Sequence, residues 1–483
     1  MSRKDPSVDS KQIYKRLLSI SMEHWPVFLL AALAMVVFAA SDTGFAFLIK
    51  NLTDIVEAGD DLTAQQEQIK KWLPLGVLVL FLLRGAFGFL SSYGMGWIGQ
   101  RAVLTLRGEV FEKYLTLPTN FFDRSSAGEL LSKIIYDISQ ISEAASTVLV
   151  VLIRDTLTIT GLVIFMIYLS PTLSGLVLVI APLIALMVRF MAGIFRRHNT
   201  RIQSSVGSVT RIGEEALQGH KIIKIFNGQD YESSRFREAN YKNFRLNMRL
   251  IATKAGGDGV TVLITAFGVA GVIYIVTQLT LSIGDVTGFL SAMVLLMAPL
   301  KRLTNLNASM QKGIAAGASI FGVLDLDSER DTGEKDAAGV QGTVEFRDVG
   351  FAYTADKGAV LSNVSFSVEA GNTLAIVGRS GSGKSTLVGL LPRFYDIDSG
   401  QICLDGTPVD EFTLGSLRSQ ISLVSQEVTL FNDTIANNIA YGGLSGASRE
   451  DVEQAARVAH VAEFVSELPD GLDTVVGDRG LLL

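Results

Sequence analysis

Nine consecutive residues have the types and the spacing of a loop that binds phosphate. They are Gly378, Arg379, Ser380, Gly381, Ser382, Gly383, Lys384, Ser385 and Thr386, and the first eight have the pattern GxxxxGK[ST]. Glycines let backbone N–H groups converge on phosphate oxygens, and a helix that starts at the lysine adds the positive end of its dipole. The ammonium of Lys384 reaches the β- and γ-phosphates, and the hydroxyl of Ser385 is a ligand for Mg²⁺. This loop therefore predicts binding of ATP with Mg²⁺.

The residues around this loop have the pattern that the motif requires. Alternating apolar residues predict a strand at Thr373–Val377 directly before the loop, and Leu387, Val388 and Leu390 predict an apolar helix after it. Two more strands are predicted at Val344–Val349 and Val364–Val368. We therefore expect an α/β nucleotide-binding domain over residues 343–483.

The part of the chain before this domain is far more apolar. Hydrophobic residues make up 48% of the 483 residues and charged residues only 19%, whereas soluble domains carry about 25% charged residues. A helix of about 20 apolar residues crosses a bilayer, and six segments qualify. They lie at roughly 25–49, 72–97, 146–169, 171–193, 259–281 and 284–305. We predict a membrane domain with six long helices over residues 1–324 and a linker over residues 325–342.

The charged residues predict the orientation of these spans. The links between spans 2 and 3 and between spans 4 and 5 are long, and the second of them carries a dozen Lys and Arg residues. Because positive residues stay on the cytoplasmic side, both long links and the second domain are predicted to be cytoplasmic. The links have helical patterning, so we expect the membrane helices to continue into the cytoplasm and turn back there. A secretory signal peptide is the alternative for the first span, but the run from 25 to 49 is long for one.

Four cations lie inside or at the end of spans, where ionisable groups are costly and often functional. Arg84 and Arg154 lie in spans 2 and 3, roughly 18–23 Å from the outer ends, and Lys301 and Arg302 lie near the inner end of span 6. If they face one cavity, they could bind an anionic headgroup. The alternative is structural: Arg154 pairs with Asp42 or Asp155, and the cations of span 6 snorkel to the interface, which we favour for Arg302.

Composition excludes several other kinds of protein. The formal net charge of −6 argues against a nucleic-acid partner. The single cysteine, Cys403, cannot form an internal disulfide, and four scattered histidines do not form a zinc-like cluster.

Six spans, two long cytoplasmic links and a phosphate loop resemble the half-transporters of the type IV ABC exporter family. In that family an aromatic residue before the loop stacks on adenine, and Tyr353 matches it. Gln426, in Leu423-Val-Ser-Gln426 after a predicted strand, resembles the glutamine that contacts Mg²⁺ and the attacking water. The alternatives are an ordinary strand aromatic and a surface turn residue.

Motifs in the membrane half are similar to those of the MsbA family, the bacterial lipid A–core flippases. They include Phe121-Phe-Asp123, Gly219-His-Lys-Ile-Ile-Lys-Ile-Phe-Asn-Gly228 and Pro299-Leu-Lys-Arg-Leu-Thr-Asn305. The resemblance implies ATP-driven export of lipid A–core by a homodimer in the bacterial inner membrane, with Arg84, Arg154 and Lys301 binding the lipid A phosphates. A multidrug or general phospholipid exporter stays an alternative, as does a nucleotide-gated channel or regulator.

The sequence stops at Leu483 before other motifs of the family occur. It contains no LSGGQ signature, no Walker B strand with its catalytic glutamate and no switch histidine, and His460 is not in the position of that histidine. We expect this segment alone to bind ATP weakly without turning it over, and the natural gene product to continue for about 100 residues.

Overall fold

A computed structural model describes residues 22–278, 281–354, 358–426 and 429–477, together with Gln12, Ile13, Lys15, Arg16, Ser19 and Gly480. It divides into two compact units, Met1–Glu329 and Arg330–Leu483, and each is described by itself.

Six long helices build the described part of the first unit. They are α1 (Trp25–Ala58), α2 (Ala64–Thr116), α3 (Ala127–Leu169), α4 (Pro171–Gln218), α5 (Gln229–Val276) and α6 (Ile283–Leu324). Two short helices, Thr119–Phe122 and His220–Ile225, lie in the turns between them.

Local signals in the sequence explain where several helices begin. Thr63 and Gln66 form a capping box at the start of α2. Ser170 caps α4, with Pro171 in the first turn, and Ser282 caps α6 by accepting a hydrogen bond from the Asp285 N–H.

The long helices confirm that the spans continue through the long links. For example, α2 has 53 residues and α5 has 48, although about 20 suffice to cross a bilayer. Among the described residues, the helices α1, α2, α3, α5 and α6 are long and apolar enough to span a membrane. The fourth predicted span falls on α4, whose side chains from 176 to 185 lie outside the described set.

Helix α3 contains two π-helical turns, at Lys133–Asp137 and Val151–Asp155. Such turns are rare, and they often occur at functional sites because they change the direction of side chains within a continuous helix. The second one carries both Arg154 and Asp155.

The helices pack around separate apolar clusters. One cluster joins α1, α3 and α6 to the beginning of α4 and the end of α5, through residues such as Phe289, Leu173 and Val272. Another joins Ile13 to α2, α3 and the C-terminal part of α6. Beyond the first cluster, α4 and α5 pack along each other.

The second unit contains an antiparallel sheet in the order β2-β1-β3-β4, with a helix that follows the phosphate loop. The strands are β1 (Val344–Phe351), β2 (Leu361–Val368), β3 (Ser399–Leu404) and β4 (Thr407–Pro408). The helices are α7 (Lys384–Leu390), Leu414–Ser419, Ile435–Ile439, Arg449–Val458 and Val461–Val465.

The predicted strand at Thr373–Val377 is wrong for this structure, and so is the strand expected before Gln426. Among the described residues neither segment pairs with a strand, and Val377 and Val424 are 89% and 97% exposed. The apolar alternation is local, but a strand also needs a neighbour that supplies hydrogen-bond partners. The described sheet has none beside these segments.

The predicted linker divides between the two units. Residues from Arg330 onward fold onto the second unit: the Lys335 N–H donates to the Glu411 carbonyl at 2.9 Å, and Ala337 is fully buried in the core of the sheet. The segment is polar, but its backbone hydrogen bonds hold it on the second unit, so it is not a flexible linker.

Candidate nucleotide and substrate sites

The phosphate loop has the backbone that its glycines predict. Gly381 and Gly383 have positive φ values of 81° and 87°, which residues with a Cβ rarely adopt. A Cβ on Gly383 would also approach the side chains of Leu361 and Val360 at 3.0 and 3.3 Å. Both observations explain why glycine is required directly before Lys384.

Polar side chains of the loop lie where phosphate would be bound. The Lys384 ammonium donates to the carbonyl oxygens of Gly378 and Arg379, each at 2.9 Å, so it lies across the opening of the loop. Ser385 is exposed at the start of α7. These residue types fit a nucleotide, because an ammonium, a hydroxyl and the N–H groups of a glycine-rich loop are the groups that bind phosphate and Mg²⁺.

Tyr353 lies beside this loop. Its hydroxyl makes a 2.9 Å hydrogen bond with the Thr386 hydroxyl, and its ring packs edge-on against Phe351 and Tyr395 at 4.9 and 5.2 Å between centroids. Tyr353 is 40% exposed, and an aromatic ring is the kind of side chain that stacks on adenine. The structure thus brings the predicted adenine aromatic and the loop together.

Unlike Tyr353, Gln426 makes no described contact with the residues of the phosphate loop. It is exposed at the end of the segment 421–425, and no hydrogen bond connects it to the loop among the described residues.

The first unit brings three of the intramembrane arginines together. We call Arg84, Arg154, Arg302, Asp42 and Asp155 the arginine cluster. Arg84 pairs with Asp42, and Arg302 donates two hydrogen bonds to Asp155 at 2.7 and 2.9 Å. Arg154 contacts Asp155 at 3.4 Å. Helices α1, α2, α3 and α6 each contribute to this cluster.

One aromatic ring connects Arg84 and Arg154. The Phe38 ring of α1 lies 4.6 Å from the guanidinium carbon of Arg84 and 5.2 Å from that of Arg154. Such cation–π contacts are stronger away from water. Two like charges are therefore held near each other by a shared ring and by two carboxylates.

Several of these contacts differ from the sequence-based expectations. Of the two carboxylates expected as alternative partners of Arg154, Asp155 contacts it, whereas Asp42 pairs with Arg84. Arg302, for which the sequence favours snorkelling, instead binds the fully buried Asp155, because a carboxylate in that position needs a positive partner. Lys301 is exposed on α6 next to Arg302.

Phe38 was missed as part of this site. The spacing of Phe38 and Asp42, four residues apart, places both on one face of a helix and so predicts that Phe38 lies beside Asp42.

A cleft of about 200 Å³ opens beside the cluster. Its lining residues are Asp42, Phe45, Leu80, Phe81, Arg84 and Leu295. One part of its wall is the Arg84–Asp42 ion pair, and the rest is apolar.

Two family profiles match the chain. The one described as the ABC transporter transmembrane region covers residues 27–300, and the one described as ABC transporter covers residues 361–479. The chain belongs to the ABC transporter family.

Curated relatives of this ABC transporter match it over nearly all its length. It is 42% identical to the ATP-dependent lipid A-core flippase of Nitrosococcus oceani in an alignment of 483 positions that covers 99% of this chain and 80% of the relative. Identity to the protein of the same name in Methylococcus capsulatus is also 42%, over 100% of this chain and 80% of the relative.

A solved bacterial Atm1-family ABC exporter with ATP bound is also similar to this ABC transporter, with a TM-score of 0.77 and 26% identity. The match covers 95% of this chain and 81% of that one. The likeness supports the exporter architecture of a helical membrane domain followed by an ATPase domain.

Proposed function

We propose that this ABC transporter uses ATP to move lipid A–core from the inner to the outer leaflet of the bacterial inner membrane. The observation that carries the proposal is the arginine cluster beside an apolar-walled cleft in the membrane unit. The names of the relatives that are 42% identical support the same substrate.

The chemistry of the cluster suits a phosphorylated lipid headgroup. Guanidinium groups form paired, charge-assisted hydrogen bonds with phosphate oxygens, and these bonds are strong where water is excluded. Arg84, Arg154 and Lys301 are the residues that we assign to the headgroup phosphates. The apolar wall formed by Phe45, Leu80 and Phe81 would contact the acyl portion of the lipid.

Energy for transport comes from the nucleotide site. The backbone from Gly378 to Thr386 and the Lys384 ammonium would hold the phosphates of ATP, and Tyr353 would stack on adenine. Ser385 and Gln426 are the proposed Mg²⁺ ligands. When bound, ATP with Mg²⁺ supplies the free energy that shifts the membrane domain between its two access states.

We also propose that the transporter is a homodimer with its ATPase units in the cytoplasm. Helices α4 and α5 pack on each other and leave large apolar side chains exposed, among them Phe190, Phe267 and Tyr274 at 70%, 79% and 69%. A second copy can cover part of this surface, while lipid covers the rest.

ATP hydrolysis by the gene product in lipid nanodiscs tests this proposal. We expect lipid A to stimulate hydrolysis, the stimulation to disappear in Lys384→Ala, and the stimulation to weaken in Arg84→Gln and Arg154→Gln. Hydrolysis that depends on Lys384 but is indifferent to lipid A would instead favour a multidrug or general phospholipid exporter.

A further inference from the structure

The arginines of the cluster already have internal counter-ions. Asp42 holds Arg84, and Asp155 holds Arg302 through two hydrogen bonds. An anion that enters the cleft therefore does not meet an empty cationic surface. It has to use the positive charge left over or replace a carboxylate.

The charges in the cluster do not cancel. Among the described residues, the ion pairs of Arg84, Arg154 and Arg302 are with Asp42 and Asp155 alone, so one positive charge is in excess. Arg154 is the most weakly held arginine, because its contact with Asp155 is 3.4 Å and Asp155 makes shorter bonds to Arg302. A singly charged phosphate that reaches Arg154, whose side chain is 17% exposed, can thus bind there while Asp155 stays paired with Arg302.

A second phosphate needs a second arginine, and the two carboxylates differ in access. Asp42 and Arg84 both line the cleft, whereas Asp155 is fully buried and is not part of its wall. Arg84 contacts the same Phe38 ring as Arg154 and lines the cleft, so it is a neighbouring cation that a second phosphate can reach. The carboxylate that a second phosphate can replace is therefore Asp42.

We infer that Asp42 is a specificity-determining residue, an exchangeable counter-ion that competes with the second phosphate of a doubly phosphorylated lipid for Arg84. This inference rests on the proposed function and adds a residue that opposes tight binding. As a consequence, a doubly phosphorylated lipid binds only slightly more tightly than a singly phosphorylated one. The lipid can therefore still dissociate from the site.

The test is a binding titration of the purified chain in detergent, with tryptophan fluorescence as the readout. The probes are diphosphoryl lipid A and monophosphoryl lipid A. In Asp42→Asn we expect diphosphoryl lipid A to bind about tenfold more tightly, which is about 1.4 kcal/mol, and monophosphoryl lipid A to change little. Weaker binding of diphosphoryl lipid A, or equal tightening for both lipids, would overturn the inference.

Two control variants keep the result interpretable. Asp42→Glu retains the carboxylate and should keep the wild-type ratio of the two affinities, even if Asp42→Asn folds poorly. Asp54→Asn removes another ion-paired carboxylate of α1, away from the cleft, and should also leave the ratio unchanged. A changed ratio in Asp54→Asn would contradict the assignment to Asp42.

Two further arms separate this inference from the proposed function. If wild type binds neither lipid A more tightly than phosphatidylcholine, both fail, whereas selective wild-type binding with an unchanged ratio in Asp42→Asn refutes only the inference. Inorganic pyrophosphate should not displace the lipid at equal concentration, because the apolar wall contributes to binding. Effective displacement would show a site for a free anion and would overturn the lipid assignment.

Discussion

Helix α1 takes part in two ion-paired clusters with different properties. In the arginine cluster, three cations face two carboxylates. In what we call the lysine cluster, Lys50 lies between Asp54 and Asp285 at 2.8 and 2.9 Å. Cations are in excess in the first cluster and carboxylates in the second.

The surroundings of the two clusters also differ, because the lysine cluster is closely packed and the arginine cluster borders a cleft. Gly284 and Gly288 of α6 pack directly against Asp54 and Lys50, and the Ser282 hydroxyl donates to Asp54 at 3.0 Å. The arginine cluster instead borders a cleft and lies on a π-helical turn. Intramembrane ion pairs are therefore structural where close packing encloses them and every charge has a partner. They become candidates for binding where positive charge is left over beside open space.

The largest effect on stability is expected at Asp155. Asp155→Asn leaves Arg302 without its buried carboxylate, and breaking such a pair costs about 3–5 kcal/mol. Thermal unfolding in detergent should therefore show a much lower Tm for Asp155→Asn than for Asp54→Asn, because Lys50 still has Asp285 in the second variant. Equal Tm values for the two variants would contradict the claim that the buried Asp155 contributes more to stability than the partly exposed Asp54.

The second-largest expected effect is on lipid A affinity, which should depend on the arginine cluster and not on the lysine cluster. Arg84→Gln removes a guanidinium that we assign to a phosphate, and hydrogen bonds to charged groups contribute about 1.5–3 kcal/mol. We expect lipid A to bind about 10- to 100-fold more weakly to Arg84→Gln and with unchanged affinity to Lys50→Gln. A similar loss in Lys50→Gln would mean that the clusters are not functionally distinct.

Packing around the lysine cluster can be tested with one methyl group. A Cβ on Gly284 would overlap the Asp54 carboxylate and lie 2.7 Å from the Lys50 carbonyl oxygen, whereas a Cβ on Gly85, next to Arg84, meets no atom within 4 Å. Gly284→Ala should destabilise the protein by about 1–3 kcal/mol. Gly85→Ala should be neutral or stabilise it by up to about 1 kcal/mol, as alanine does in helices. Equal Tm shifts would contradict the tight packing.

A carboxylate outside the membrane gives the smallest expected effect. Backbone N–H groups of Thr343, Gln341 and Gly342 donate to Asp405 and lower its pKa. A lowered pKa stabilises the folded state above the unfolded-state pKa of about 4, and this contribution disappears as pH falls through the folded-state pKa. Asp405→Asn should therefore lower Tm slightly at pH 7 and not at acid pH. A difference that grows on acidification would have the wrong sign.

The sequence predicts the parts of this fold that depend on local patterns. Six apolar runs become six long helices because a helix satisfies its own backbone, and the glycines of the loop adopt the positive φ that they favour. Thr373–Val377 fails because a strand depends on a partner elsewhere in the chain.

The candidate substrate site shows the same limit. The cost of burying charge identifies Arg84 and Arg154, but their partners depend on how α1, α2, α3 and α6 pack. The sequence therefore predicts that Arg154 has a carboxylate partner but names Asp42 together with Asp155. The sequence also does not predict the π-helical turn Val151–Asp155, which changes the directions of the side chains in this part of α3.

Movement of lipid A between leaflets tests the central claim most directly. The gene product is reconstituted in proteoliposomes with lipid A, and the fraction of lipid A accessible to an external reagent is followed after addition of ATP. We predict ATP-dependent movement that is lost in Lys384→Ala, reduced in Arg84→Gln and retained in Lys50→Gln. Hydrolysis of ATP without any change in lipid A accessibility would contradict the account.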